Sequence, residues 1–175
     1  NNYGVYLYGY PWDGVTNANI FTGGCVDHNY YDGISLVGGC IGNVFDSMVI
    51  EMNAATNSTY SDIRMKWHTD ELPRHNIFRD CWIENVNRTA IWLENTSSNM
   101  WYAARSNIFT DNTLASDNTD GSFFVKISGI SNRFVNNYPS SMSSGDIKIC
   151  LESKSYKCTV QDNMIADDSA DDFVL

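Results

Sequence analysis

Proline is scarce in this chain, with three in 175 residues. Charge is scarce too, at 18 %, and positive charge most of all: 11 Lys and Arg stand against 21 Asp and Glu. A formal net charge of −10 speaks against general binding to nucleic acid or to an anionic membrane. No apolar run approaches the roughly 18 residues of a membrane-spanning helix. There is no CxxC pair, no Cys/His cluster with zinc spacing and no Gly-x-Ser-x-Gly turn. A structural zinc site, a cofactor and a nucleophilic triad are therefore not expected. No signal-peptide pattern opens the chain and there is no initiator Met; residues 3–10 already alternate like a strand. The expectation is a single domain over residues 1–175, cut or processed from a longer protein.

Asn, Ser, Thr and Gly supply the polarity that charge does not. That composition favours short strands and turns over helices. A phrase of the form Asn-aliphatic-Phe then recurs. Its copies begin at Asn19, Asn43, Asn76, Asn107 and Asn132, with a degenerate sixth at Cys158. The steps are 24, 33, 31, 25 and 26 residues, and periods of that size mark stacked repeats.

A second phrase, a short alternating strand, interleaves with the first. Its copies begin at Val5, Ile34, Ile63, Ile91, Phe123 and Ile147. Laid in register, Phe21, Phe45, Phe78, Phe109, Phe134 and Val160 form one column. Val26, Ile50, Ile83, Leu114, Pro139 and Ile165 form another, five residues on. A third, three residues on, runs Gly24, Met48, Cys81, Asn112, Asn137 and Asn163. The Phe column reads as the interior, and the Asn residues as bends where Asn tolerates the left-handed conformation. No period buries its apolar side alone; stacking makes the core.

Columns of Phe, Asn at bends and alternating short strands resemble the right-handed parallel β-helix, the pectate-lyase-like architecture of pectinases, alginate-modifying enzymes and phage tailspikes. The resemblance implies an all-β solenoid of about six turns. It also implies an extracellular or virion-surface setting, a polysaccharide ligand, and a homotrimer or the rest of a longer chain as partner. Family motifs are faint. Residues 31–34 and 63–66 weakly echo polygalacturonase signatures, but Gly-His-Gly and the Asp-Pro-His of mannuronan epimerases are missing.

Strand alternation gives the candidate site. With Ile and Leu pointing inward, the outward set is Tyr6 and Tyr8, Ser35 and Val37, then Arg64, Lys66 and His68. Trp92 and Glu94, Phe124 and Lys126, and Lys148, Cys150 and Glu152 continue it. Rings stack on sugar faces, and Arg and Lys fork onto carboxylate, sulfate or phosphate. The expected ligand contacts are Arg64, Lys66, His68, Trp92, Lys126, Tyr6 and Tyr8. A partner-chain interface and a solvated face are the other readings of this stripe. Hydrolysis would need two carboxyls facing one cleft, and Glu94 with Asp70 are the candidates. A lyase would instead use Lys66 or His68 as base beside Arg64.

Smaller features stay open. The segment Trp67–His75 reads as a functional or ordinary loop, and Asp27–His28 as an ion pair or part of a site. Cys25 and Cys81 are expected as packed thiols. Cys150 and Cys158 are read either as free or as closing a short disulfide loop. Asn57, Asn87 and Asn95 head glycosylation sequons, and the 167–175 end is acidic.

Overall fold

The computed structural model describes residues 2–10, 16–54, 59–68, 71–85, 88–94, 104–116, 124–140 and 147–163. The chain is a parallel β-solenoid, and no helix occurs among the described residues. The first sheet stacks β1 (Val5–Gly9), β5 (Ile34–Gly38), β9 (Ile63–Lys66), β12 (Ile91–Leu93), β15 (Val125–Ile130) and β18 (Ile149–Tyr156). The second stacks β3 (Ile20–Thr22), β7 (Val44–Asp46), β10 (Ile77–Arg79), β13 (Ile108–Thr110), β16 (Arg133–Val135) and β19 (Thr159–Gln161). The third stacks β4 (Cys25–Asp27), β8 (Val49–Glu51), β11 (Trp82–Asn85), β14 (Thr113–Ser116) and β17 (Tyr138–Pro139). A corner pair, β2 (Thr16–Asn17) with β6 (Cys40–Ile41), completes the wall. Among the described residues, six strands stack in each of the first two sheets and five in the third.

The columns stack as the sequence spacing requires. Phe21, Phe45, Phe78 and Phe109 lie face to face with centroids 4.8, 4.4 and 4.9 Å apart and planes within 9°. Phe134 then tilts by 40° at 6.1 Å. Val26, Ile50, Ile83, Leu114 and Pro139 follow the same register, and Ile165 lies outside the described residues. The inner side chains of the middle coils are sealed, with Phe45, Phe78, Ile50, Ile63 and Ile83 at 0 % exposure.

The bends are held by amide ladders. Asn43, Asn76, Asn107 and Asn132 each accept, on Oδ1, both the backbone N–H and the Nδ2–H of the Asn one coil earlier, at 2.9–3.1 Å. A second ladder runs from the Cys81 amide through Asn112 and Asn137 to Asn163. A third runs Asn29, Asn53, Asp62. Except for Asn163 at the end of the second ladder, these side chains are buried, and they supply the donors and acceptors that a corner strips from the sheets.

Three expectations change here. The left-handed residue is the one before each ladder Asn, not the Asn itself. Ala18, His75, Ser106 and Ser131 have φ of 53–58°, as do Asp80, Asp111 and Asn136 (52–58°) at the next corner. A residue in that conformation turns the chain, and the Asn that follows, back in a normal conformation, can aim its amide along the solenoid axis. Second, Val125 and Ile149, not Phe123 and Ile147, align with Ile91. Phe123 lies outside the described residues, and Phe124 precedes the strand and is fully buried rather than outward. Third, the Trp67–His75 segment is partly wall. Arg74 bridges Ile41 and Arg105, and His68 pairs with Glu71 through two backbone hydrogen bonds.

All five cysteines are free, so the disulfide reading of Cys150 and Cys158 falls. Cys81 is buried as expected, but Cys25 is exposed, because strand alternation turns Val26 inward and its neighbours out. No helix among the described residues is long and apolar enough to cross a membrane.

Candidate functional site

The outward face of the first sheet has a registered column, Tyr6–Ser35–Arg64–Trp92–Lys126–Cys150. Beside it run Tyr8, Val37 and Lys66. Glu94 follows Leu93, the partner of Met65, and so sits on the coil next to Lys66. Parallel pairing thus brings together residues 24 to 34 positions apart, on adjacent coils about 4.8 Å from one another.

Arg64 organises the middle of this face. Its Nε and Nη2 both donate to Glu94 Oε2, at 2.9 and 2.6 Å, and Nη1 donates to the Thr59 carbonyl. Its guanidinium carbon lies 4.5 Å from the Trp92 ring centre, and Lys126 Nζ lies 5.4 Å from the same ring. Trp92 is therefore flanked by a cation from each neighbouring coil. These contacts correct the expectation that Arg64 points freely outward: it is 7 % exposed. Lys66 is half-buried, with Nζ 5.9 Å from the Tyr60 ring. Burial, then the Arg64 charge, lowers its pKa, while Asp32 and Glu94 pull the other way.

Around Tyr6 and Tyr8 the face becomes a continuous arc of rings. Tyr60 contacts Tyr31 at 4.5 Å, Tyr31 contacts Tyr3 at 5.2 Å, and Tyr3 contacts Tyr6 at 4.9 Å. Tyr6 lies parallel to Tyr8 at 6.3 Å, and Tyr8 meets Tyr10 at 6.0 Å. The Tyr8 hydroxyl hydrogen-bonds His68 Nδ1 at 2.9 Å, which closes the arc onto the third coil. Tyr30 packs on Tyr31 at 5.0 Å. Seven of the ten tyrosines belong to this arc, and Tyr6, Tyr10 and Tyr30 remain 49, 47 and 56 % exposed. Burial raises the pKa of Tyr3, Tyr6 and Tyr8, so these phenols stay protonated donors at neutral pH.

Asp32 lies beneath the arc with no exposed surface. Its carboxylate accepts from the Ser61 amide and the Ser35 hydroxyl, each at 3.0 Å. Burial raises its pKa against these bonds and the nearby Lys66 and Arg64 charges.

Neither a family model, a curated protein nor a solved structure matches the chain. The face must therefore be read from its own chemistry.

That face unites Tyr6, Tyr8, Arg64, Lys66, His68, Trp92, Glu94 and Lys126. Asp70 lies outside the described residues. Glu94 Oε2 is engaged by Arg64, which makes Glu94 a fixed part of the platform. Sequence alternation alone missed Tyr3, Tyr31 and Tyr60, which precede their strands. A signal for them existed: they step by 28 and 29 residues, close to the 29 and 29 of the strands that follow. The Asp27–His28 pair is an exposed contact, with Nδ1 3.3 Å from Oδ2, on another sheet.

Proposed function

We propose that this protein is a glycan-recognising β-solenoid module whose binding surface is the first-sheet face around Tyr6, Tyr8 and Tyr10, bounded by Trp92 and the Lys66 and Lys126 ammoniums. The observation that carries this reading is the continuous arc of tyrosine rings with exposed members at 47–56 %. Flat rings at protein–water boundaries offer apolar faces for the C–H faces of sugars, with phenol hydroxyls at hand for theirs. Lys66 and Lys126 stand beside Tyr60 and Trp92, where they would take carboxylate, sulfate or phosphate groups of an acidic polysaccharide.

Binding without cleavage is favoured, because the Glu94 carboxylate is spent on Arg64. The setting belongs to the same proposal: a receptor-binding module of tailspike type, extracellular or on a virion surface, working as a homo-oligomer. It rests on the resemblance of the stacked columns.

A glycan array followed by a reducing-end assay on each hit tests the reading. The expected result is binding to a restricted set of glycans with no release of reducing ends. Release of ends would instead place the protein with pectinase-type enzymes, and silence across the array would leave a structural coil.

A further inference from the structure

We infer that Cys25, Asp27 and Glu51 form a binding site for one divalent cation of the zinc class, on the third sheet and apart from the tyrosine face. Strand alternation builds it. Val26 points into the core, so Cys25 and Asp27 project from β4 on the outer side. Glu51 on β8 is the registered partner of Asp27 one coil away. One ligand atom from each of the three residues falls within 4.8 Å of the others, the one such group among the described residues. In a tetrahedral site with bonds of about 2.0–2.3 Å, ligand atoms stand roughly 3.3–3.8 Å apart. Cys25 and Asp27 are exposed and Glu51 partly so, and small rotamer changes close that difference. Gly23 and Gly24 precede Cys25, and a Cβ built on either would meet nothing within 4 Å, so the approach is open.

The donor set selects the ion. Two carboxylates alone would suit calcium or magnesium, but a thiolate beside them favours a softer cation. The position of Cys25 is taken by Val49, Trp82, Thr113 and Tyr138 in later coils, so sulfur occurs in this column only where Asp27 and Glu51 meet. Glu84, next in the carboxylate column, is turned to the Trp82 indole N–H at 2.9 Å and is not part of the set. His28 Nδ1 lies 3.3 Å from Asp27 Oδ2 and orients that carboxylate.

Two consequences follow. Cys25 binds a cation as the thiolate, so metal uptake must release its proton and tighten as pH rises. The cation would also tie the first coil to the second. Val5, Leu7 and Phe21 of that first coil are only partly buried, and it is the coil that carries Tyr6, Tyr8 and Tyr10.

Co2+ alone, added to the reduced protein, is the probe. The expected result is uptake of one equivalent with a thiolate-to-cobalt charge-transfer band, displaced by Zn2+. Cys25→Ser should abolish the band, and Glu51→Gln should weaken uptake at least tenfold. Zn2+ should raise the melting temperature of the wild type but not of Cys25→Ser, whose metal-free melting should match the wild type because Cys25 is exposed. No band, a band that survives Cys25→Ser, or equal Ca2+ uptake by both proteins would overturn the site. None of these readouts depends on glycan binding.

Discussion

Asp62 occupies a place in the third ladder where an amide would be expected. Its Oδ1 accepts the Asn53 N–H and Nδ2–H at 2.9 Å, and its Oδ2 accepts from Asn85 Nδ2. Three donors favour the anion, but complete burial, with a smaller push from the Glu84 charge, outweighs them and moves the pKa up to about 8. The folded state therefore holds a proton that the unfolded chain loses near pH 4. Stability should fall as pH rises from about 4 to about 8, by at most about 1.4 kcal/mol per pH unit from this group, and level off above. Melting of Asp62→Asn across that window should show a shallower slope, with Asn85 turning its amide to accept; an unchanged slope would clear Asp62. The left-handed corner residues make a second case at this scale. A non-glycine residue there costs about 1–2 kcal/mol. Ser131→Gly, at a φ of 56°, should raise the unfolding free energy by roughly 1 kcal/mol in urea melts after the added chain entropy is deducted.

At the scale of the element, the ladders hold the corners as the Phe stack holds the interior. Asn76 makes bonds in both directions. Its Oδ1 accepts two N–H groups of Asn43, and its Nδ2 donates to Asn107 Oδ1 and the Cys40 carbonyl. Asn76→Ala leaves four buried partners short and should cost several kcal/mol, more than an exposed-site Asn→Ala. Phe78→Ala, in the middle of the parallel stack, should cost about 3–5 kcal/mol. Both are read by urea denaturation with the slope held constant. The strands, the Phe column and the Asn corners were legible in the sequence, because stacking repeats one residue type at one register. The register of the last two first-sheet strands was not. Phe123-Phe124 looks like the strand start by hydrophobicity, yet pairing begins at Val125 and Phe124 turns in at the corner. Arg64 was misread for a related reason. Alternation says which side of the sheet a side chain leaves from, but not that Glu94, Thr59 and Trp92 wait there to bury it.

At the scale of the molecule, the solenoid converts sequence period into surface. Each coil contributes one or two outward side chains to a strip, so a binding face can be assembled from residues 28 or 29 positions apart in the sequence. Tyr3, Tyr31 and Tyr60 show this, since each is an ordinary residue ahead of its own strand until the coils stack. The same geometry separates functions by face: the tyrosine arc lies on the first sheet and the Cys25–Asp27–Glu51 group on the third. The measurement that tests the central claim most directly is the affinity of an array-identified glycan for three proteins: wild type, Tyr6→Ala/Tyr10→Ala, and Arg79→Ala. Arg79 lies on the second sheet, in an exposed pair with Asp46, and serves as the control. Binding at the tyrosine face predicts a loss of about tenfold or more for the double variant, which is about 1.4 kcal/mol or more, and none for Arg79→Ala. Equal affinity for all three would contradict it.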